Sequence, residues 1–124
     1  MEGKAVNRLL IVDDALIMRM KIRKVAEQAG WTIVGEANNG EVGVQMYHEH
    51  RPDLVTLDMV MPKLDGVGAL KAIRAANPEA NVVMISAVDQ KDKLAECITS
   101  GAMDFIVKPF DEIRLLNFFR QTLQ

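Results

Sequence analysis

Asp13, Asp14, Asp58, Ser86 and Lys108 each stand at or just beyond the end of a short apolar run, and together they carry the groups needed to hold a divalent cation and a phosphoryl group. Carboxylates gathered in one place repel one another and raise each other's pKa, so a cluster of three needs a cation nearby. Hard oxygen ligands suit Mg²⁺, which takes octahedral coordination from one or two carboxylates, keeps several waters and accepts phosphate oxygens as further ligands. The Lys108 ammonium and the Ser86 hydroxyl would then complete a pocket for the remaining phosphoryl oxygens. Taken singly these residues have plainer uses: Asp14 could cap the helix that follows it, and Asp58 could open the Met-Val-Met-Pro turn after it.

What must gather these residues is a regular alternation of elements. Runs rich in Val and Ile, namely Leu9 to Val12, Thr32 to Val34, Leu54 to Leu57, Val82 to Ile85 and Phe105 to Val107, read as strands buried on both faces. Segments with helical spacing lie between them. Met18, Ile22, Val25 and Ala29 share one helix face, Arg19, Arg23, Lys24 and Glu27 take the other, and Gly30 is the stop. A second helix is expected from Gly40 to His50, and a third after Asp65 with Val67, Leu70 and Ile73 inward. A fourth runs from Lys91 to Ser100 and ends at Gly101, and a fifth starts near Asp111, a good N-cap residue, and reaches the C-terminus. Pro52, Pro62, Pro78 and Pro109 all fall between elements, where a missing N–H does least damage. Strict βα alternation predicts a doubly wound α/β fold, a five-stranded parallel sheet covered on both faces, because each crossover is right-handed. Ligands of such sheets sit beyond the carboxyl ends of the strands, which is where the five polar residues stand.

The 124 residues, 49% of them hydrophobic, suit one domain spanning 1–124. With 15 basic against 17 acidic residues there is no positive excess of the kind that holds nucleic acid. Cys97 is the single cysteine, so an intramolecular disulfide is excluded, and no apolar run approaches the roughly 20 residues that cross a bilayer. The first residues lack the apolar stretch of a signal peptide, and a cytoplasmic protein is expected. His48 and His50, two apart on a helix, point apart and make a poor metal pair. The eight methionines are scattered, and Cys97 reads as a small hydrophobe packed in or beside the fourth helix.

Ile-Val-Asp-Asp at 11 to 14, Asp-Met-Val-Met-Pro at 58 to 62 with Asp65-Gly66, Ser86-Ala87, and Gly-Ala-Met-Asp-Phe-Ile-Val-Lys-Pro-Phe at 101 to 110 follow in that order over essentially the whole chain. In this the chain closely resembles the receiver domains of bacterial response regulators, especially the single-domain chemotaxis regulators among them. The resemblance implies a strand order of 2-1-3-4-5. It implies Asp58 as the nucleophile that takes a phosphoryl group from a phosphohistidine of a sensor histidine kinase. Asp14 and Asp58 would hold Mg²⁺ directly, Asp13 through water, and the backbone carbonyl of Val60 would be a further ligand. Lys108 would pair with the carboxylate before transfer and with the phosphoryl group after it. Ser86 resembles the switch hydroxyl and Phe105 the switch aromatic that follows it. A phosphoaspartate adds about −1.5 to −2 charges and would reshape the surface of helix four, strand five and helix five for a downstream protein or for self-association. Such a protein assists its own phosphorylation and dephosphorylation without being a turnover enzyme. A receiver cut from a longer regulator is the alternative within the family.

Val60, Val88 and Phe105 depart from the most familiar pattern. Many family members place polar side chains two residues after the phosphoacceptor and two after the switch hydroxyl, near the attacking water. Neither valine can hydrogen-bond that water, so slow loss of phosphate is expected. Phe105 lacks the hydroxyl of a switch tyrosine. The fifth helix carries Ile113, Leu115, Leu116, Phe118, Phe119 and Leu123, a wider apolar arc than one core-facing stripe needs; a partner surface and half-burial of Leu115 and Phe118 against helix four both account for it. A phosphatase of the haloacid dehalogenase type would carry Asp-x-Asp after strand one, whereas here the pair is adjacent. A flavodoxin-like cofactor site would find Asp13-Asp14 repelling its phosphates.

Overall fold

A computed structural model describes residues 7–87 and 91–124; Val88 lies outside the described residues. The elements alternate in chain order: β1 (Arg8–Val12), α1 (Leu16–Gln28), β2 (Thr32–Ala37), α2 (Gly40–His50), β3 (Leu54–Leu57), α3 (Gly66–Ala76), β4 (Val82–Ser86), α4 (Lys91–Thr99), β5 (Asp104–Val107) and α5 (Glu112–Gln121). All strand pairs are parallel and the order is β2-β1-β3-β4-β5, as the resemblance implied.

Burial follows position in the sheet. The apolar runs of β1, β3 and β4 are covered on both faces, while β2 and β5, at the edges, remain partly open. β2 runs on to Ala37, beyond the expected Val34. Gly35 and Glu36 break its apolar pattern, yet their backbones pair with Leu10 and Ile11, so the ladder continues. On one side of the sheet Leu10, Val12, Val55, Leu57, Val82 and Met84 pack with Tyr47, Leu70, Ile73 and Cys97 of the helices. On the other, Leu9, Ile11, Leu54, Val83 and Ile85 pack with Ile22, Val25, Leu115, Phe118 and Phe119.

That second cluster corrects the expectation for α5. Leu115 and Phe118 are buried among residues of α1 and the sheet, not against helix four, because α5 shares its face of the sheet with α1. Ile113 and Leu123 are the large apolar residues of this arc that stay exposed. The same layer takes in the lone tryptophan. Trp31 is buried just before β2, donates its indole N–H to the Phe119 carbonyl at 2.8 Å and packs against the Phe119 ring.

Helix ends follow the sequence signals. Asn39, Asp65 and Asp111 accept N–H bonds at the starts of α2, α3 and α5. Gly30, after α1, has φ +101°, a conformation that glycine adopts without a Cβ penalty.

One core group is out of keeping with its surroundings. The Thr56 hydroxyl, in the middle of β3, is buried with no hydrogen-bond partner among the described residues. An unsatisfied buried hydroxyl costs on the order of 1–3 kcal/mol, whereas an isosteric methyl costs nothing comparable. Thr56→Val is therefore expected to be neutral or to stabilise by up to about 1 kcal/mol, in contrast to the loss that follows removal of a bonded threonine hydroxyl. Urea titration monitored by circular dichroism measures it; a loss above that range would mean that the hydroxyl has a partner.

Candidate functional site

Register brings the polar strand ends together. Val12 pairs with Leu57, so the residues that follow, Asp13 and Asp58, leave the sheet side by side; the Asp58 N–H donates to the Val12 carbonyl at 2.9 Å. Ser86 pairs with Val107, and the Lys108 N–H donates to the Ser86 carbonyl at 2.9 Å. Neighbouring strands thus deliver a carboxylate from β1, another from β3, a hydroxyl from β4 and an ammonium from β5 to one rim.

At that rim Asp13, Asp14 and Asp58 each offer a carboxylate oxygen, and the three lie within 4.8 Å of one another. No other three His, Cys, Asp or Glu side chains converge in this way among the described residues. Asp13 and Asp58 are buried and Asp14 is exposed. Lys108 Nζ lies 2.7 Å from Asp13 Oδ2 and 3.6 Å from Asp58 Oδ2. The first is a charge-assisted hydrogen bond and the second an ion pair beyond hydrogen-bonding range. The lysine is therefore shared between two carboxylates, with the more deeply buried Asp13 as its nearer partner, where the resemblance had placed it on the phosphoacceptor.

The plainer use of Asp14 does not hold. The N-cap of α1 is Ala15, which has no side chain to cap with, and it is Asp13 Oδ1 that accepts the Ala15 N–H at 2.8 Å. Asp14 makes no side-chain hydrogen bond among the described residues and faces outward into the acidic cluster.

Asp58 has the most perturbed chemistry of the group. Burial, the largest influence, pushes its carboxyl above the ordinary aspartate value. Lys108 pulls it down, Asp13 pushes it further up, and hydrogen bonds from the Ser86 hydroxyl and the Met59 N–H favour the ionised form without cancelling the effect of burial. The turn after Asp58 is tied back by the Gly66 N–H, which donates to the Met59 carbonyl at 2.8 Å. Gly66 is required there by close approach: a Cβ would come within 2.1 Å of the Asp58 carbonyl oxygen and 2.6 Å of Met59 Cα. Val60 projects outward, 64% exposed, beside this turn, and Phe105 is half-buried against the core layer that contains Met84, its partner in the β4–β5 ladder.

The donor set fits a hard divalent cation: all three groups are carboxylates, no sulfur or imidazole intrudes, and the nearby ammonium leaves the cluster negative. Two groups behind the rim carry no signal in the sequence pattern. Arg19, expected on the solvent face of α1, donates from Nη1 to the Asp13 carbonyl at 2.6 Å and from Nε to Glu36 at 3.0 Å. The one hint is Glu36 itself, a lone charge near the end of an otherwise uncharged strand.

Comparison with known proteins gives the same picture. Residues 9–120 match the family model described as the response regulator receiver domain. This chain is a response regulator receiver domain. The receiver domain is 46% identical over 117 residues to the chemotaxis protein CheY of Bacillus subtilis, covering 94% of this chain and 98% of that protein. It is 44% identical over 111 residues to CheY of Thermotoga maritima, covering 90% and 92%. Among solved structures it resembles that of the CheX-CheY-BeF3-Mg complex from Borrelia burgdorferi, with a TM-score of 0.86 and 37% identity over 89% of this chain and 84% of that one. The phosphatase and flavodoxin-like readings fall away, and the receiver domain works in two-component phosphorelay.

The perturbed Asp58 makes the stability of the receiver domain depend on pH. Its carboxyl ionises less readily in the folded state than in the unfolded chain, so at neutral pH its charge opposes folding; below the ordinary aspartate value both states are protonated and the penalty is gone. Asp58→Asn is expected to raise the melting temperature at neutral pH. The gain should shrink as pH falls through the folded-state pKa and vanish below the ordinary aspartate value, which a melting series across pH checks.

Proposed function

We propose that Asp58 accepts the phosphoryl group and that the cluster around it binds magnesium. The observation that carries this reading is the company each carboxylate keeps. Asp13 is occupied by Lys108 and the Ala15 N–H, and Asp14 is exposed with no cationic partner among the described residues; Asp58 alone of the three sits buried against both an ammonium and a hydroxyl, with two further carboxylates beside it.

An Asp58 oxygen attacks the phosphorus of a phosphohistidine on a sensor histidine kinase. The new O–P bond forms as the N–P bond breaks, and the N–P electron pair stays on the imidazole nitrogen. Bound Mg²⁺, held directly by Asp14, Asp58 and the Val60 carbonyl and through water by Asp13, would neutralise the carboxylates and the incoming phosphoryl oxygens. Occupation of both Asp13 oxygens by other donors supports its indirect role. Lys108, near both carboxylates, is placed to transfer its contact to the phosphoryl group, and the Ser86 hydroxyl to close on another of its oxygens. Phe105 then follows Ser86.

Two exposed apolar groupings suit the two partners. Leu16, Ile17 and Met20 are exposed on α1 and Val60 in the turn after Asp58, and suit the kinase; Ile98, Val107 and Ile113 lie on α4, β5 and α5 and suit a downstream protein or a second copy. The near end-to-end match with CheY proteins supports a stand-alone, single-domain chemotaxis regulator over residues 1–124, acting in the cytoplasm by protein contact, without nucleic acid and without catalytic turnover. No described helix is long and apolar enough to cross a membrane. The Borrelia relative in complex with CheX also contained BeF3 and Mg²⁺, which supports the same cation here.

Incubation with acetyl phosphate and Mg²⁺ should add one phosphoryl group to the wild type by intact mass, and none to Asp58→Asn or to wild type kept in chelator. Uptake that survives Asp58→Asn would sink the assignment. Once formed, the mark should be long-lived, because the exposed Val60 cannot orient a water. Val60→Asn is expected to shorten the phosphorylated half-life several-fold, followed as loss of the added mass after the donor is removed.

A further inference from the structure

Asp13 uses every polar group it has. Its N–H donates to the Ala37 carbonyl at 3.0 Å, its Oδ1 accepts the Ala15 N–H at 2.8 Å, its Oδ2 accepts Lys108 Nζ at 2.7 Å, and its backbone carbonyl accepts Arg19 Nη1 at 2.6 Å. The last bond comes from a side chain at the end of the first turn of α1, and that side chain is itself held. Arg19 Nε donates to Glu36 Oε1 at 3.0 Å, and the Arg19 side chain is only 14% exposed. The other oxygen of Glu36 takes Arg23, at 2.7 Å from Nε and 2.6 Å from Nη2. Two arginines on one helix therefore clamp one carboxylate on β2, and the guanidinium of Arg19 spans from that clamp to the loop that carries the acidic pair.

We propose that Arg19 is a positioning residue for the cation site: by holding the Asp13 carbonyl against the Glu36 clamp it fixes the backbone from which Asp14 projects. This rests on the reading of the acidic rim as a Mg²⁺ site and extends it to a residue outside the rim. Asp14 has no side-chain hydrogen bond of its own among the described residues, so its aim depends on the Asp13–Ala15 backbone. Three of the contacts that hold Asp13 are short-range or go to the sheet and to Lys108; the Arg19 side chain adds a tie from α1 to the Asp13 carbonyl, beside the Arg19 N–H that donates to the Ala15 carbonyl at 3.0 Å. A fork-shaped guanidinium reaches both the carbonyl and Glu36 at once, which an ammonium on a flexible stem does not. Groups that orient metal ligands from outside the coordination sphere typically contribute 10–100-fold in metal affinity.

Isothermal titration of Mg²⁺ into wild type, Arg19→Ala, Arg19→Lys and Arg23→Ala, each with a thermal melt, tests this. Arg19→Ala is expected to weaken Mg²⁺ binding by about tenfold, and Arg19→Lys to recover only part of that loss. Arg23→Ala removes the other half of the clamp but leaves the Asp13 bond, and its affinity should stay within about twofold of wild type whatever its melting temperature does. Should Arg19→Ala not fold, Arg19→Gln takes its place in the comparison. Mg²⁺ affinity unchanged in the folded Arg19 variant, or reduced as much in Arg23→Ala, would overturn the role of Arg19. A wild type that shows no Mg²⁺ binding would instead refute the cation site itself, so the two failures are distinct.

Discussion

Three carboxylates share one rim with one ammonium, and the rest of the site depends on that unequal balance. Unit charges about 4 Å apart interact by roughly 4 kcal/mol at an effective dielectric of 20, so the attraction of Lys108 for its two neighbours and the mutual repulsion of the aspartates are of similar size. Neither dominates. Three negative charges against one positive leave two uncompensated, the charge of a single divalent cation. Burial sharpens the imbalance at Asp58, where water is least able to share the load. A site so arranged could hold a metal ion, and the charge left over matches that of one divalent cation.

The sheet makes this arrangement rigid. The carboxylates on β1 and β3 adjoin because Val12 pairs with Leu57, and a one-residue slip of either strand would point the acid into an apolar layer. Ser86 and Lys108 are joined in the same way through β4 and β5. The core on both faces thus holds the charged rim in register, and the close seat of Gly66 under the Asp58 carbonyl removes the slack that the following turn would otherwise have.

How much of this could be read from the residues alone depends on where each signal lies. β1, β3 and β4 were legible because strands buried on both faces must be apolar throughout, and the five rim residues stand out against such runs. The end of β2 was not, since an edge strand tolerates Gly35 and Glu36 where a central one would not. The apolar arc of α5 showed that something must be covered without showing by what; the answer lay in α1, distant in sequence and adjacent across the sheet face. The sharing of Lys108 between Asp13 and Asp58 depends on side-chain reach across tens of residues, and the bond from Arg19 to the Asp13 carbonyl on a side chain turning back toward the loop before its own helix, neither of which a hydrophobic pattern encodes.

The lone tryptophan sits at the other end of this order. Trp31 is buried before β2, with its indole N–H on the Phe119 carbonyl, and so lies at the opening ends of the strands while the acidic rim lies at their closing ends. Its emission is a gauge of whether α1, α5 and the sheet remain packed. The same placement puts the length of the sheet between it and the acidic rim. The chain carries a built-in optical reporter of how α1, α5 and the sheet pack, read at the end of the strands opposite the acidic rim.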